Sequence, residues 1–239
     1  LKYALVYVHK TNEDGKPNIE KHIMRYPQIF ATKAIAQKIK EGNKRGIIWH
    51  TQGSGKTALA YYNVKHLQDY FQKENTIPKF YFIVDRLDLL KQAKTEFINR
   101  GLSVNIVNSK QEFVSDIKKA SALHNSSGNN EITVVNIQKF SEESSSEAIN
   151  DYDINIQRVY FLDEVHRSYN PKGSFLSNLI NSDKNAIIIG LTGTPLITKN
   201  LYSKDLFGDY IHKYYYNMSI ADGYTLKLIR EGIDTSYKM

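Results

Sequence analysis

The chain has 239 residues, 41% of them hydrophobic, a formal charge of +7 and no cysteine. That length and apolar fraction suit one large domain or one and a half, and the lack of cysteine excludes a disulfide framework and thiolate-bound metal. No apolar run approaches the roughly 18 residues a membrane span needs, Leu1–His9 lacks the pattern of a signal peptide, and the positive charge leaves room for an anionic partner without naming one. A start at Leu1 rather than Met fits a piece of a longer chain.

In chain order, Leu1 to His9 reads as a strand and Thr11 to Pro17 as a turn, with Asp14-Gly15 and Pro17 as breakers. Residues 1–24 together form a lead-in. From Gln28, apolar residues Ile29, Ala31, Ala34, Ile35 and Ile39 recur at helical spacing until Glu41-Gly42. Gly46 to Trp49 is a short buried strand, and Ala58 to about Gln72 a helix. Between them lies His50-Thr51-Gln52-Gly53-Ser54-Gly55-Lys56-Thr57. Strand, glycine loop and helix is the setting of a phosphate-binding loop. Gly53 and Gly55 let successive N–H groups turn inward on a polyphosphate, and the helix adds its positive end. Lys56 reaches the β- and γ-phosphates, and the Thr57 hydroxyl suits Mg²⁺. His50 stands where the strict pattern has its first glycine. The competing reading is a glycine-rich turn with no ligand.

Alternating units follow. Strands are expected at Phe80–Val84, Val104–Val107, Ile132–Asn136, Arg158–Leu162 and Ala186–Leu191, with helices at Leu87–Asn99, Gln111–Leu123 and Phe175–Ile180. His124–Asn130 reads as an exposed loop and Glu142–Glu147 as a solvated loop or short helix. Strands apolar throughout, alternating with helices, predict a mostly parallel sheet covered on both faces, with ligands at the carboxyl ends of its strands. After Pro195 tyrosines cluster, at Tyr210 and Tyr214 to Tyr216, and aliphatics thin out. The stretch 206–239 is expected to leave a domain spanning 25–205.

Two motifs fall at strand ends. Asp163-Glu164 closes one: Asp163 suits Mg²⁺ opposite Thr57, and Glu164 suits orienting the water that attacks a γ-phosphate. Taken alone the pair could be a solvated turn. His166 lies just beyond and could sense the γ-phosphate or simply be packed. Thr192-Gly193-Thr194 closes another strand, either as a plain turn or as a hydroxyl-bearing link to His166 or the acids.

HTQGSGKT, LDEVHRS and LTGTP, in that order, resemble superfamily 2 helicases and translocases, and more closely the motor subunit of type I restriction endonucleases. VDRLDLLKQ, VVNIQKF, Arg25-Tyr26-x-Gln28, Phe207-Gly208 and Ala221-Asp222-Gly223 are similar to further segments of that subunit. The resemblance implies an α/β fold of the RecA-like, P-loop NTPase type. It implies ATP and Mg²⁺, with Lys56, Asp163 and Glu164 catalytic and Thr57 and Asp163 at the metal. Arg25, Gln28 and the loop Thr51, Gln52, Gly53, Ser54, Gly55, Lys56 and Thr57 would bind nucleotide, with Arg25 and Gln28 on the adenine side. His166, Arg167, Thr192, Gly193 and Thr194 would couple nucleotide state to motion. Arg86, Gln138 and Lys139 would face the backbone of double-stranded DNA. Modification and specificity subunits are the implied protein partners, and the bacterial cytoplasm the implied location. The family's second motor domain, with its arginine finger, and its nuclease core are expected outside this sequence. Another superfamily 2 motor, or a nucleotide-binding module without catalysis, are the alternatives.

Overall fold

The computed structural model describes residues 2–119, 121–137, 155–164, 183–194, 197–198, 201–202 and 207–227. The lead-in is an antiparallel hairpin, β1 (Leu5–Thr11) and β2 (Pro17–Ile23), whose Val6 and Val8 are buried in the main core. Helix α1 (Tyr26–Lys40) follows, started by a capping box in which Gln28 Oε1 accepts from the Arg25 N–H at 2.9 Å.

The body is built from β3 (Arg45–His50), α2 (Lys56–Lys73), β4 (Ile77–Val84), α3 (Leu87–Asn99), β5 (Ser103–Val107), α4 (Lys110–Lys118), β6 (Glu131–Asn136), β7 (Ile156–Asp163) and β8 (Ile187–Thr192). After the short antiparallel pair β9 (Ile197–Thr198) and β10 (Leu201–Tyr202) come β11 (Tyr210–Tyr214) and α5 (Tyr216–Ala221). One seven-stranded sheet runs in the order β11-β3-β8-β7-β4-β6-β5, and every neighbouring pair in it is parallel.

Alternation along the central strands feeds two cores. Phe80, Phe82, Val159, Phe161, Ile187 and Ile189 pack on one face against α1, α2 and α3, through residues such as Ile35, Leu59, Val64 and Phe97. Tyr81, Ile83, Tyr160, Leu162 and Ile188 face the other way, onto Phe113 and Ile117 of α4 and onto Phe207. The expected parallel sheet with helices on both faces is therefore present.

Two expectations need correcting. Tyr210–Tyr214 does not lead away from the sheet; it is the sheet's edge strand, paired with β3, and Tyr214 is buried. Helix α4 stops at Lys118 rather than Leu123, because Lys119 turns to extended backbone. The buried Lys79 ammonium donates to the carbonyls of Asp116 at 2.7 Å and Ser121 at 3.2 Å, which satisfies the helix end without another turn. His124–Asn130 is the exposed loop expected, with its start anchored: the Glu131 carboxylate accepts from the N–H groups of His124 and Asn125. The expected helix Phe175–Ile180 and the stretch Glu142–Glu147 lie outside the described residues.

Candidate nucleotide site

Topology brings the motifs together. Strand β8 lies between β3 and β7, and the register pairs Trp49 with Thr192 and Asp163 with Leu191. The glycine loop, the acid pair and Thr192-Gly193-Thr194 therefore emerge side by side at one end of the sheet, where ligands of such sheets sit.

The loop is built as a phosphate cradle requires. Gly53 and Gly55 both sit at φ 79°, the left-handed region that glycine enters freely. Gly55 also caps α2, so the helix begins at Lys56 itself. A side chain at Gly55 would lie 2.6 Å from Gln28 Nε2. That proximity has a purpose: Gln28, almost fully buried, donates to the carbonyl of Gly55 at 3.0 Å and reaches that of Ser54 at 3.5 Å. Arg25 donates through Nη1 to the Gly53 carbonyl at 3.2 Å. These two residues, expected on the adenine side, are engaged here with the backbone of the loop.

Lys56 Nζ lies 3.5 Å from Glu164 Oε1 and 3.4 Å from the His50 carbonyl, long contacts that leave its charge available. Glu164 adopts φ 53°, uncommon for a residue with a side chain, and is held there by its N–H to the Leu191 carbonyl at 3.0 Å. Its carboxylate accepts from the Gly193 N–H at 2.7 Å and the Thr192 hydroxyl at 2.8 Å. The Thr192 hydroxyl in turn accepts from the Thr194 N–H. Gly193 packs so close to the loop that a Cβ there would lie 3.3 Å from Gln52 N and 3.5 Å from Lys56 Nζ. Thr51 is tied by its N–H to the Tyr214 carbonyl at 3.1 Å.

Asp163 is buried, and its Oδ1 has no hydrogen-bond partner. Burial first, then the nearby Glu164 and Asp85 carboxylates, push its carboxyl up to about 6, with Lys56 pulling the other way. An orphaned, desolvated carboxylate oxygen beside a phosphate-type loop fits a divalent cation, which would supply what the site lacks. The buried Ser54 Oγ is likewise unpartnered. Thr57 occupies the second position of α2, half-buried.

His50 is fully buried and bonded through Nε2 to Nδ1 of His212 at 2.8 Å. Burial, with help from His212 and Lys56, lowers it to about 3, so it is neutral. Arg86 is exposed at the end of β4 and paired with Asp88, Nη2 to Oδ2 at 2.7 Å. Gln138, Lys139, His166 and Arg167 lie outside the described residues.

Sequence reasoning did not anticipate the groups supplied by β11 and by the stretch just after α5: His212, Tyr214, Asp222 and Tyr224. The tyrosine cluster was the available signal. It also missed the charged network under the far end of the sheet, where Lys79, Asp116, Arg158 and Asp183 are all buried.

The SWI2/SNF2 ATPase pattern matches residues 27–239, and the chain belongs to that family. It is an ATPase motor domain related to the endonuclease subunits of type I restriction enzymes. It is 31% identical over 221 residues to the type I restriction enzyme SsaAORF53P endonuclease subunit of Staphylococcus saprophyticus, across 89% of this chain and 22% of that one. It is also 31% identical over 233 residues to the putative MjaVIIIP endonuclease subunit of Methanocaldococcus jannaschii, across 87% of this chain and 22% of that protein. The chain thus spans about a fifth of the length of these relatives. Among solved structures, the type ISP restriction-modification enzyme LlaBIII bound to DNA superposes with a TM-score of 0.62 at 16% identity, over 88% of this chain and 16% of that one. LlaGI, with a DNA substrate mimic, gives 0.58 at 17% identity, over 84% of this chain and 20% of that one. The fold is RecA-like.

Proposed function

We propose that this chain is the first motor domain of a type I restriction endonuclease subunit, hydrolysing ATP to move double-stranded DNA before cleavage. The observation that supports it most is the single bonded constellation of Lys56, Glu164, Thr192 and Gly193, with the orphaned Asp163 Oδ1 beside it. Lys56 and the loop N–H groups hold the phosphates. Thr57 and Asp163 would hold Mg²⁺, which neutralises phosphate charge when bound. Glu164 orients the attacking water and takes its proton as the new bond to the γ-phosphorus forms and the bond to the bridging oxygen breaks. Thr192 and Gly193, bonded directly to Glu164, feel any change in that carboxylate and carry it along β8. Arg86, with Gln138 and Lys139, follows the DNA backbone without reading bases. The arginine finger comes from a second motor domain, modification and specificity subunits complete the assembly, and the setting is the bacterial cytoplasm.

The test is phosphate release and nucleotide binding by the full-length protein, with and without double-stranded DNA. Lys56→Ala is expected to lose both binding and turnover, because the charge-assisted phosphate contacts go. Glu164→Gln is expected to keep binding and lose turnover by at least about 100-fold. Normal turnover by Glu164→Gln removes Glu164 from its role. Nucleotide binding with no hydrolysis by the wild type under any DNA condition would favour a non-catalytic module instead.

A further inference from the structure

The segment that follows the sheet's edge, from β11 to Tyr224, touches the phosphate loop at separate points. The Tyr214 carbonyl accepts from the Thr51 N–H at 3.1 Å, and His212 meets His50 at 2.8 Å. Beyond α5, the Arg25 guanidinium lies over the Tyr224 ring, 4.6 Å from its centroid, while the same guanidinium holds the Gly53 carbonyl. Asp222 locks the segment down, accepting from the Tyr214 hydroxyl at 2.6 Å and from the Tyr26 hydroxyl. Tyr26 and Arg25 are adjacent at the start of α1, so a single element carries both the grip on Gly53 and the grip on the segment. Arg25 is thus shared between the loop and Tyr224.

We propose that the Tyr210–Tyr224 segment is a latch whose docking and the occupancy of the phosphate loop favour one another, so that nucleotide state is passed to the chain beyond Tyr224. This rests on the reading of the loop as a nucleotide site. When docked, the latch fixes Arg25, Arg25 fixes the Gly53 peptide, and the loop is shaped before any phosphate arrives. By reciprocity a bound nucleotide, which needs that loop shape, holds the latch down. The coupling runs in this direction because the segment meets the loop through the Thr51 N–H and the His50 ring, and Tyr224 meets it through Arg25, whose guanidinium holds the Gly53 carbonyl.

The experiment uses the full-length protein with Mg²⁺ and the slowly hydrolysed analogue ATPγS. Tyr224→Ala is expected to weaken binding about tenfold, within the usual range of such couplings, while Tyr224→Phe, which keeps the ring under Arg25, binds as the wild type does. A second measurement needs no variant. In the wild type, saturating nucleotide is expected to slow amide hydrogen exchange across residues 216–224. Equal affinity of Tyr224→Ala and wild type, or exchange in that segment indifferent to nucleotide, overturns the latch. A wild type that binds no nucleotide overturns the site reading itself and the latch with it, a result separable from the other two.

Discussion

His50 shows how one residue serves both chemistry and stability. Its carbonyl faces Lys56, while its neutral ring bridges β3 to β11 through His212. A histidine held near 3 when folded and near its ordinary value when unfolded is uncharged in both states above pH 6.5 and contributes no pH slope there. As pH falls below that, the unfolded chain gains a proton and the folded one does not, so stability drops until the folded group also titrates. Between pH 7.5 and 5 the loss from this residue alone is about 2 kcal/mol, from some 1.5 pH units at about 1.4 kcal/mol each. Denaturant unfolding at the two pH values should show His50→Asn losing that much less stability than the wild type. An identical slope in both proteins would mean that the ring is not held neutral. Arg158 and Asp183 offer a second residue-scale prediction. Their side chains are both 2% exposed and joined Nε to Oδ2 at 2.5 Å and Nη2 to Oδ1 at 3.3 Å. Asp183→Ala leaves a buried guanidinium without its carboxylate and should cost about 3–5 kcal/mol of unfolding free energy. A loss below about 1 kcal/mol would place the pair among weak surface bridges.

At the scale of elements, the β3–loop–α2 unit was legible because it needs glycine, lysine and threonine at fixed offsets and a buried strand before them. The central strands were legible because both their faces are covered, which leaves runs such as Phe80–Val84 with no polar interruption. Edge strand β11 was not legible. Tyr-Ile-His-Lys-Tyr is mostly half-exposed, and an edge strand carries polar groups on its open side, so it gives neither an apolar run nor a clean alternation. The roles of Arg25 and Gln28 at the loop backbone were equally hidden, since sequence shows which residues are polar but not which carbonyl they reach. The place of β11 is set by a glycine. Its register against β3 shifts between Tyr210 and His212, and a Cβ built on Gly46 would lie 2.2 Å from the Ile211 side chain. Ile211 fills the space that Gly46 leaves open. Gly46→Val should therefore lift the edge strand. Hydrogen exchange at 210–214 is expected to quicken markedly while Ile187–Thr192, on the other side of β3, keeps its protection. Unchanged exchange in β11 would show that Ile211 moves aside at no cost.

Across the whole molecule, one end of the sheet carries the loop, the acid pair, Thr192-Gly193-Thr194 and, at the end of β4, Arg86. The other end carries the buried charges Lys79, Asp116, Arg158 and Asp183, tied together with the stacked rings of Tyr81 and Tyr160. The second set fixes the strands; the first is left with unsatisfied or weakly satisfied groups and is where ligands would act. Arg86 allows the DNA side of this division to be tested by sign. It is exposed and, among the described residues, its guanidinium is paired only with Asp88 two residues along; an exposed pair of this kind is worth about 0–1 kcal/mol. A DNA phosphate could take the guanidinium from Asp88 at little cost, and the Asp88 carboxylate would meanwhile repel that phosphate. If Arg86 tracks the backbone, Arg86→Ala should weaken binding to every duplex alike and lower the slope of log affinity against log salt by about one. Asp88→Ala should do the opposite and tighten binding, again for every sequence. Affinities measured at several salt concentrations on two unrelated duplexes decide it. Arg86→Ala with an unchanged slope, or Asp88→Ala that weakens binding, would assign Arg86 to the cap of α3 and send the search for the DNA track to other residues.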